Sequence, residues 1–198
     1  MNAPHDPLDT LVNEALLRPL LKLRNAIQLP VNCTGLYLHN CTGTDRPTRI
    51  ILILMIRNSR VLLAAGPYEF AGTLEFEAAP VAVAWLVNQF PLEGAVQHAC
   101  WSGEAAWLPL DGTPQLAPEN ATSQPRPGQI LLYAGMMSQA ELLLPYGACV
   151  FASKAGSLAG SPVVALDRPL EDLRALGGLL ISRGVQPLKL NWLHEERK

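Results

Sequence analysis

The sequence predicts a mainly β protein, a closed antiparallel barrel whose ends are plugged by helices. Three observations lead there. From Arg49 onward short β-type runs follow one another, among them "RVLLAA", "YEFAGTLEFE", "QILLYAG" and "SPVVAL", each bounded by Gly or Pro signals. Only two stretches within that texture have helical length and spacing. Finally, 198 residues that are 49% hydrophobic and 16% charged can bury a sizeable core without disulfides or metals. Many short strands with few helices favour closure, which removes exposed sheet edges.

Taken in order, Asp6, Pro7 and Asp9 read as an N-cap, a first-turn proline and an acidic first turn. They open "PLDTLVNEALLRPLLKLRNAI", an amphipathic helix expected to kink before Pro19. Its stripe of Leu8, Leu11, Leu16, Leu20 and Ile27 needs cover, from the barrel or from a second subunit. An irregular connection rich in Asn, Thr, Gly and Pro follows, so residues 1–48 form an N-terminal appendage and residues 49–198 the barrel domain. "RIILILMI" starts the barrel, and a turn at Asn58 and Ser59 leads to "RVLLAA". Pro80 opens a helix, "PVAVAWLVNQF", despite its valines. After it come the run "AVQHACWSGEAAWLPL", a long Pro- and Asn-rich loop, and the strands "QILLYAG", "AELLLPYG", "ACVFASKAG" and "SPVVAL". A C-terminal helix, "PLEDLRALGGLLISRG", and a last strand, "VQPLKLNW", complete the chain.

Charge and cysteines narrow the partners. Fifteen basic against seventeen acidic residues give a net charge of −2 with no basic run, so neither nucleic acid nor an anionic membrane surface is expected. The N-terminus lacks the pattern of a secretory signal, and "IILILMI" at 50–56 is too short to cross a bilayer. A cytoplasmic protein is expected. Cys33, Cys41, Cys100 and Cys149 lie far apart without a C-x-x-C pair, which favours free thiols over a metal site.

Three stretches hold the candidate chemistry. If residues 98–104 are extended, the period of two places His98, Cys100, Ser102 and Glu104 on one face, with Trp101 on the other. Histidine and glutamate within reach of each other can serve as acid and base near neutral pH, although the same pattern fits a solvated face. Gly103 marks a bulge or close approach that would re-aim Glu104. In "PENATSQPRPG", Glu119 and Asn120 either meet a ligand or cap a turn. In "LLLPYGACVFASKAGSLAGSP", Tyr146 offers a hydroxyl and Lys154 a cation for a carboxylate; equally, they read as a core aromatic with a wet tip and a surface residue. No phosphate loop, nucleophile elbow, zinc-binding helix or dinucleotide fingerprint occurs.

Together, "HACWSGEAAWLPL", "PENATSQPRPGQILLYAG" and "LLLPYGACVFASKAGSLAG" resemble a cyclophilin-like bacterial family of largely unknown function that includes the cyclophilin-like part of cucumopine synthase. The resemblance runs from Tyr68 to Val164 and implies an eight-stranded cyclophilin-like barrel with a helix at each end. It does not imply prolyl isomerase activity. Where those enzymes carry a Phe-His-Arg run, this chain reads "QHACWSGEA", without the arginine that polarises the prolyl amide. It implies instead a small-molecule enzyme without nucleotide or metal cofactor. Its substrate would be an amino acid, a 2-oxo acid or a nitrogen heterocycle, undergoing condensation or cyclisation. His98 and Glu104 would act as acid and base, with Trp101, Ser102, Glu119, Asn120, Tyr146 and Lys154 holding the substrate. Ser161 and Pro162 depart from the family's usual Asn-His after the second glycine, so the reaction can differ. The other class of reading is a non-catalytic metabolite-binding or assembly protein. In that reading the terminal helices build the oligomer; a homo-oligomer is expected in either case.

Overall fold

The structure, a computed structural model, describes residues 60–112, 114–167 and 171–193. The expected N-terminal helix, the strand "RIILILMI" and the turn at Asn58 and Ser59 lie outside the described residues. Ten strands and two helices are described: β1 (Arg60–Ala65), β2 (Tyr68–Leu74), α1 (Pro80–Asn88), β3 (Leu92–His98), β4 (Gly103–Pro109), β5 (Gln129–Tyr133), β6 (Glu141–Cys149), β7 (Ala152–Ser153), β8 (Gly156–Ser157), β9 (Ser161–Leu166), α2 (Glu171–Arg183) and β10 (Gln186–Trp192). Eight of the strands close an antiparallel barrel in the order β1-β10-β3-β4-β6-β5-β9-β2, while β7 and β8 form a separate hairpin.

Alternation creates the interior. In β1 the buried residues are Val61, Leu63 and Ala65, and the same period continues through Val96, Leu108, Ile130, Leu142, Leu144, Leu188 and Leu190. These rows leave a void of only about 10 Å³, so the barrel is packed rather than hollow. Each end is sealed by a helix whose apolar residues join the same core: Ala82, Val83 and Leu86 from α1, and Leu173, Leu176 and Leu180 from α2. A fully buried leucine contributes about 1.5–3 kcal/mol, so the plugs are integral to the barrel.

A smaller core lies outside the sheet. Ala105, Leu131, Tyr133 and Leu143 face outward from β4, β5 and β6 and are covered by Phe151 and Leu158, which flank the β7–β8 hairpin. "ELLLPYG" and "AC" thus belong to one strand, β6, which runs through Pro145 and on past Gly147, where the sequence predicts a break. Pro145 sits next to the register shift between Gly103 and Ala105, and Pro162 next to the shift between Ile130 and Leu131. Proline lacks an N–H for the ladder, and a strand tolerates it where the pairing is already irregular.

The run at 97–110 differs more from expectation. It is a hairpin: β3 stops at His98, the chain turns through residues 100–102, and β4 starts at Gly103 with φ +89°. Ala99 N–H donates to the Ala105 carbonyl at 2.8 Å, and Ser102 N–H to that of Ala99 at 2.9 Å. Periodicity could not show this reversal, and the one turn signal in "ACWSG", Ser102-Gly103, is weaker than the Asn-Gly or Asp-Gly of a tight hairpin.

Candidate functional site

At the end of the barrel under α2, three inward-facing rows change from apolar to polar. On β3 the inward residue Val96 is followed by His98; on β4 Leu108 and Ala106 are preceded by Glu104; on β6 Leu142 and Leu144 are followed by Tyr146. These strands are neighbours, with His98 opposite Ala106 and Ala106 opposite Leu144. The shift between Gly103 and Ala105 leaves Glu104 opposite Tyr146, Gly147 and Ala148. Three ionisable side chains from three strands therefore meet at one mouth.

Their contacts are specific. The Tyr146 hydroxyl lies 2.9 Å from Nδ1 of His98, with ring centroids 6.3 Å apart. Glu104 Oε2 accepts a hydrogen bond from Ala148 N–H at 2.7 Å. Burial raises the Tyr146 pKa above its ordinary phenolic value, and the Glu104 carboxylate raises it further by disfavouring a second negative charge. Tyr146 is thus held as a phenol. The phenol donates to Nδ1 in the imidazole tautomer protonated on Nε2 and accepts in the one protonated on Nδ1, so the tautomer sets the direction of this bond. Tyr146 is almost fully buried, His98 is partly exposed and Glu104 is exposed, so the cluster runs from core to solvent. Trp101, 61% exposed in the turn joining β3 to β4, stands in the chain between His98 and Glu104.

Of the other expected substrate contacts, Ser102, Glu119 and Asn120 hydrogen-bond to the backbone, and Lys154 stands in the solvent. Ser102 is buried, and its hydroxyl donates to the Ala152 carbonyl at 2.9 Å and accepts from Ala152 N–H at 3.1 Å, which pins the β7–β8 hairpin to the β3–β4 turn. Glu119 caps α1 from 38 positions away, because Ala79 at the N-cap offers no side-chain oxygen. Its Oε2 accepts from Val81 N–H at 2.9 Å and Ala82 N–H at 2.8 Å. Asn120 donates to the Ala78 carbonyl at 2.7 Å and adopts φ +43°, which asparagine tolerates. Glu119 N–H also donates to Oγ of Ser161, the first residue of β9, placing the pair at the α1 end, opposite the His98 mouth. Lys154 is exposed in the turn of the β7–β8 hairpin, outside the barrel sheet. Spacing along the sequence carried no signal for these distant backbone partners.

Sequence reasoning also missed Glu141. It opens β6 opposite Pro109 and Tyr133, is 9% exposed, and burial raises its pKa from 4.5 to about 7. The signal available was a glutamate leading directly into "LLL". Cys149 is pushed by burial up to about 11, so it stays a thiol rather than a nucleophilic thiolate. A hollow of about 40 Å³ lies at the α1 end against Leu116, Pro118 and Tyr133, at the opposite end of the barrel from the ionisable cluster. Among the described residues no three His, Cys, Asp or Glu side chains converge to hold a metal ion.

Residues 61–192 match the family described as "Protein of unknown function (DUF3830)". The chain belongs to this family. The matched stretch takes in His98, Glu104, Tyr146 and all eight barrel strands but for Arg60, so the DUF3830 unit and the barrel coincide. No curated protein matches the sequence. Among solved structures, a similar one is described as "Structure of McbB in complex with tryptophan", at TM-score 0.53 and 16% identity. The alignment covers 70% of this chain and 46% of McbB, so this chain corresponds to less than half of that protein. At this identity the likeness establishes the fold, and the DUF3830 barrel is of the cyclophilin-like kind that the sequence motifs resemble. No helix among the described residues is long and apolar enough to cross a membrane.

Proposed function

We propose that this DUF3830 protein is a small-molecule enzyme in which His98, Glu104 and Tyr146 transfer protons at the α2 end of the barrel. The observation that carries the reading is the 2.9 Å contact between the Tyr146 hydroxyl and His98 Nδ1, with the Glu104 carboxylate near enough to raise the phenol's pKa. A buried phenol bonded to an imidazole, beside an exposed carboxylate, supplies a proton donor and a proton acceptor within one cluster. Such a cluster at the open end of three apolar rows is a costly arrangement for a purely structural barrel.

The reaction class that suits it is condensation of an amino acid with a 2-oxo acid, or cyclisation of a related nitrogen heterocycle. The amine nitrogen adds to the carbonyl carbon, and the resulting carbinolamine loses its hydroxyl as water. The imine carbon is then attacked by a ring carbon, which afterwards gives up its proton. Tyr146, resupplied through His98, donates the proton that expels water, and Glu104 accepts the ring proton. Trp101 offers a flat surface to a heterocycle. McbB, a neighbour in fold, was solved with tryptophan, which places amino acids first among ligands to try.

A second reading, a non-catalytic metabolite-binding or oligomeric assembly protein, is favoured by the packed interior and by the exposed Trp101, Met136, Ile181 and Val185. A thermal-shift screen of amino acids, 2-oxo acids and cyclic amides, followed by turnover assays of each stabilising compound, separates the two. Turnover by the parent and its loss in Glu104→Gln support the enzyme. Stabilisation without turnover supports the binding protein.

A further inference from the structure

Two successive glycines, Gly177 and Gly178, lie inside the unbroken helix α2. Glycine is less favourable than alanine inside a helix, so the pair asks for a reason. Gly178 is exposed, and a Cβ built there meets nothing within 4 Å. Gly177 is buried, and a Cβ there stands 2.6 Å from Cζ of Tyr146 and closer still to Cε2. Real Cβ atoms do not approach a ring so closely, and a rigid ring cannot bend its tip aside. Restoring ordinary contact moves the ring by roughly 1 Å, which stretches a 2.9 Å hydrogen bond past its useful length. The same device recurs beneath the carboxylate: a Cβ at Gly147 overlaps the space that Glu104 occupies.

We propose that Gly177 is a positioning residue, whose missing side chain seats the Tyr146 ring under α2 so that the hydroxyl reaches Nδ1 of His98. Its importance for activity rests on the proton-transfer reading above, while the seating rests on the packing alone. α2 is then more than a plug: it sets the height of the phenol in the mouth and so the imidazole tautomer beside it.

The experiment is nitrogen-15 NMR of the His98 ring in the full chain, comparing the parent with Gly177→Ala, Gly178→Ala and Tyr146→Phe. Tyr146→Phe shifts the Nδ1 resonance by removing the hydroxyl. Gly177→Ala is expected to shift it in the same direction and by a comparable amount, while Gly178→Ala leaves it at the parent's position. A parent-like resonance in Gly177→Ala overturns the proposal. Should Gly177→Ala fail to fold, the Tyr146→Ala/Gly177→Ala double variant decides, since removing the ring also removes the collision. Folding of the double as stable as Tyr146→Ala supports the seat, and its failure to fold shows that Gly177 serves something else. A lost resonance in a protein without detectable turnover leaves the seat standing and removes only the enzymatic reading.

Discussion

The hydroxyl of Tyr146 meets Nδ1 of His98 at 2.9 Å, across the barrel mouth from one strand to another with β4 between them. The contact joins residues 48 positions apart and sets a hydrogen-bonded phenol and imidazole at the end of a leucine-lined barrel. Glu104 completes it from the intervening strand, held by Ala148 N–H.

Glu104 acts on Tyr146 through charge, so Glu104→Gln is expected to lower the ionisation midpoint of Tyr146. The midpoint stays above the ordinary phenolic value, because burial, the larger cause, remains. Near-ultraviolet titration of Glu104→Gln, with Tyr146→Phe to identify the signal, checks this. An unchanged midpoint shows that the carboxylate does not sense the phenol.

Gly147→Ala is expected to produce the same lowering without touching either ionisable group. A Cβ there displaces the Glu104 carboxylate from Ala148 N–H and from the phenol. The same titration reads it. A midpoint equal to the parent's contradicts the role given to Gly147.

Glu141 makes stability fall as pH rises. Below pH 4.5 the carboxyl is protonated in both states; from there to about 7 the unfolded chain releases its proton while the folded chain keeps it. Unfolding is thus favoured progressively through that window, and the full penalty applies above it. The shift corresponds to about 3 kcal/mol, and residual solvent access reduces it to about 2 kcal/mol. Glu141→Gln should therefore raise Tm above pH 7 and flatten the slope between 4.5 and 7. Parallel Tm profiles for parent and variant would refute the assignment.

Glu119 and Ser102 should behave as structural residues. Glu119→Ala removes the cap of α1, and Ser102→Ala unpins the β7–β8 hairpin, each at a cost of about 1–2 kcal/mol. Ligand affinity per folded molecule should not change. Urea unfolding together with ligand titration measures both effects, and a selective loss of affinity returns these residues to the site.

The fold was legible because alternation and Gly/Pro punctuation are local signals. "RVLLAA", "PVAVAWLVN" and "VQPLKLNW" each contain their own periodicity, and the motifs around Trp101, Asn120 and Tyr146 resemble a family whose barrel the structure displays. For the candidate site the sequence offers residue types but not their arrangement. His98 and Glu104 share one face if the run is a single strand, whereas a turn separates them, the hairpin returns β4 beside β3, and a register shift against β6 sets Glu104 opposite Tyr146. Gly103 was the local hint, as its positive φ suits the start of β4 beside that shift. The cap that Glu119 gives α1 depends on a contact across 38 positions, and nothing near Glu119 in sequence distinguishes a cap from a ligand contact.

The most direct test is the turnover rate, on a compound found by thermal shift, of His98→Gln, Glu104→Gln, Tyr146→Phe and the Glu104→Gln/Tyr146→Phe double variant, each checked for folding and binding. Groups that move protons as one unit are non-additive. Each single variant should therefore bind the compound yet lose about 10²–10⁴ in kcat, and the double should lose little more than the worse single. Parent-like kcat in any of the three single variants contradicts a shared proton-transfer site at the mouth of the barrel.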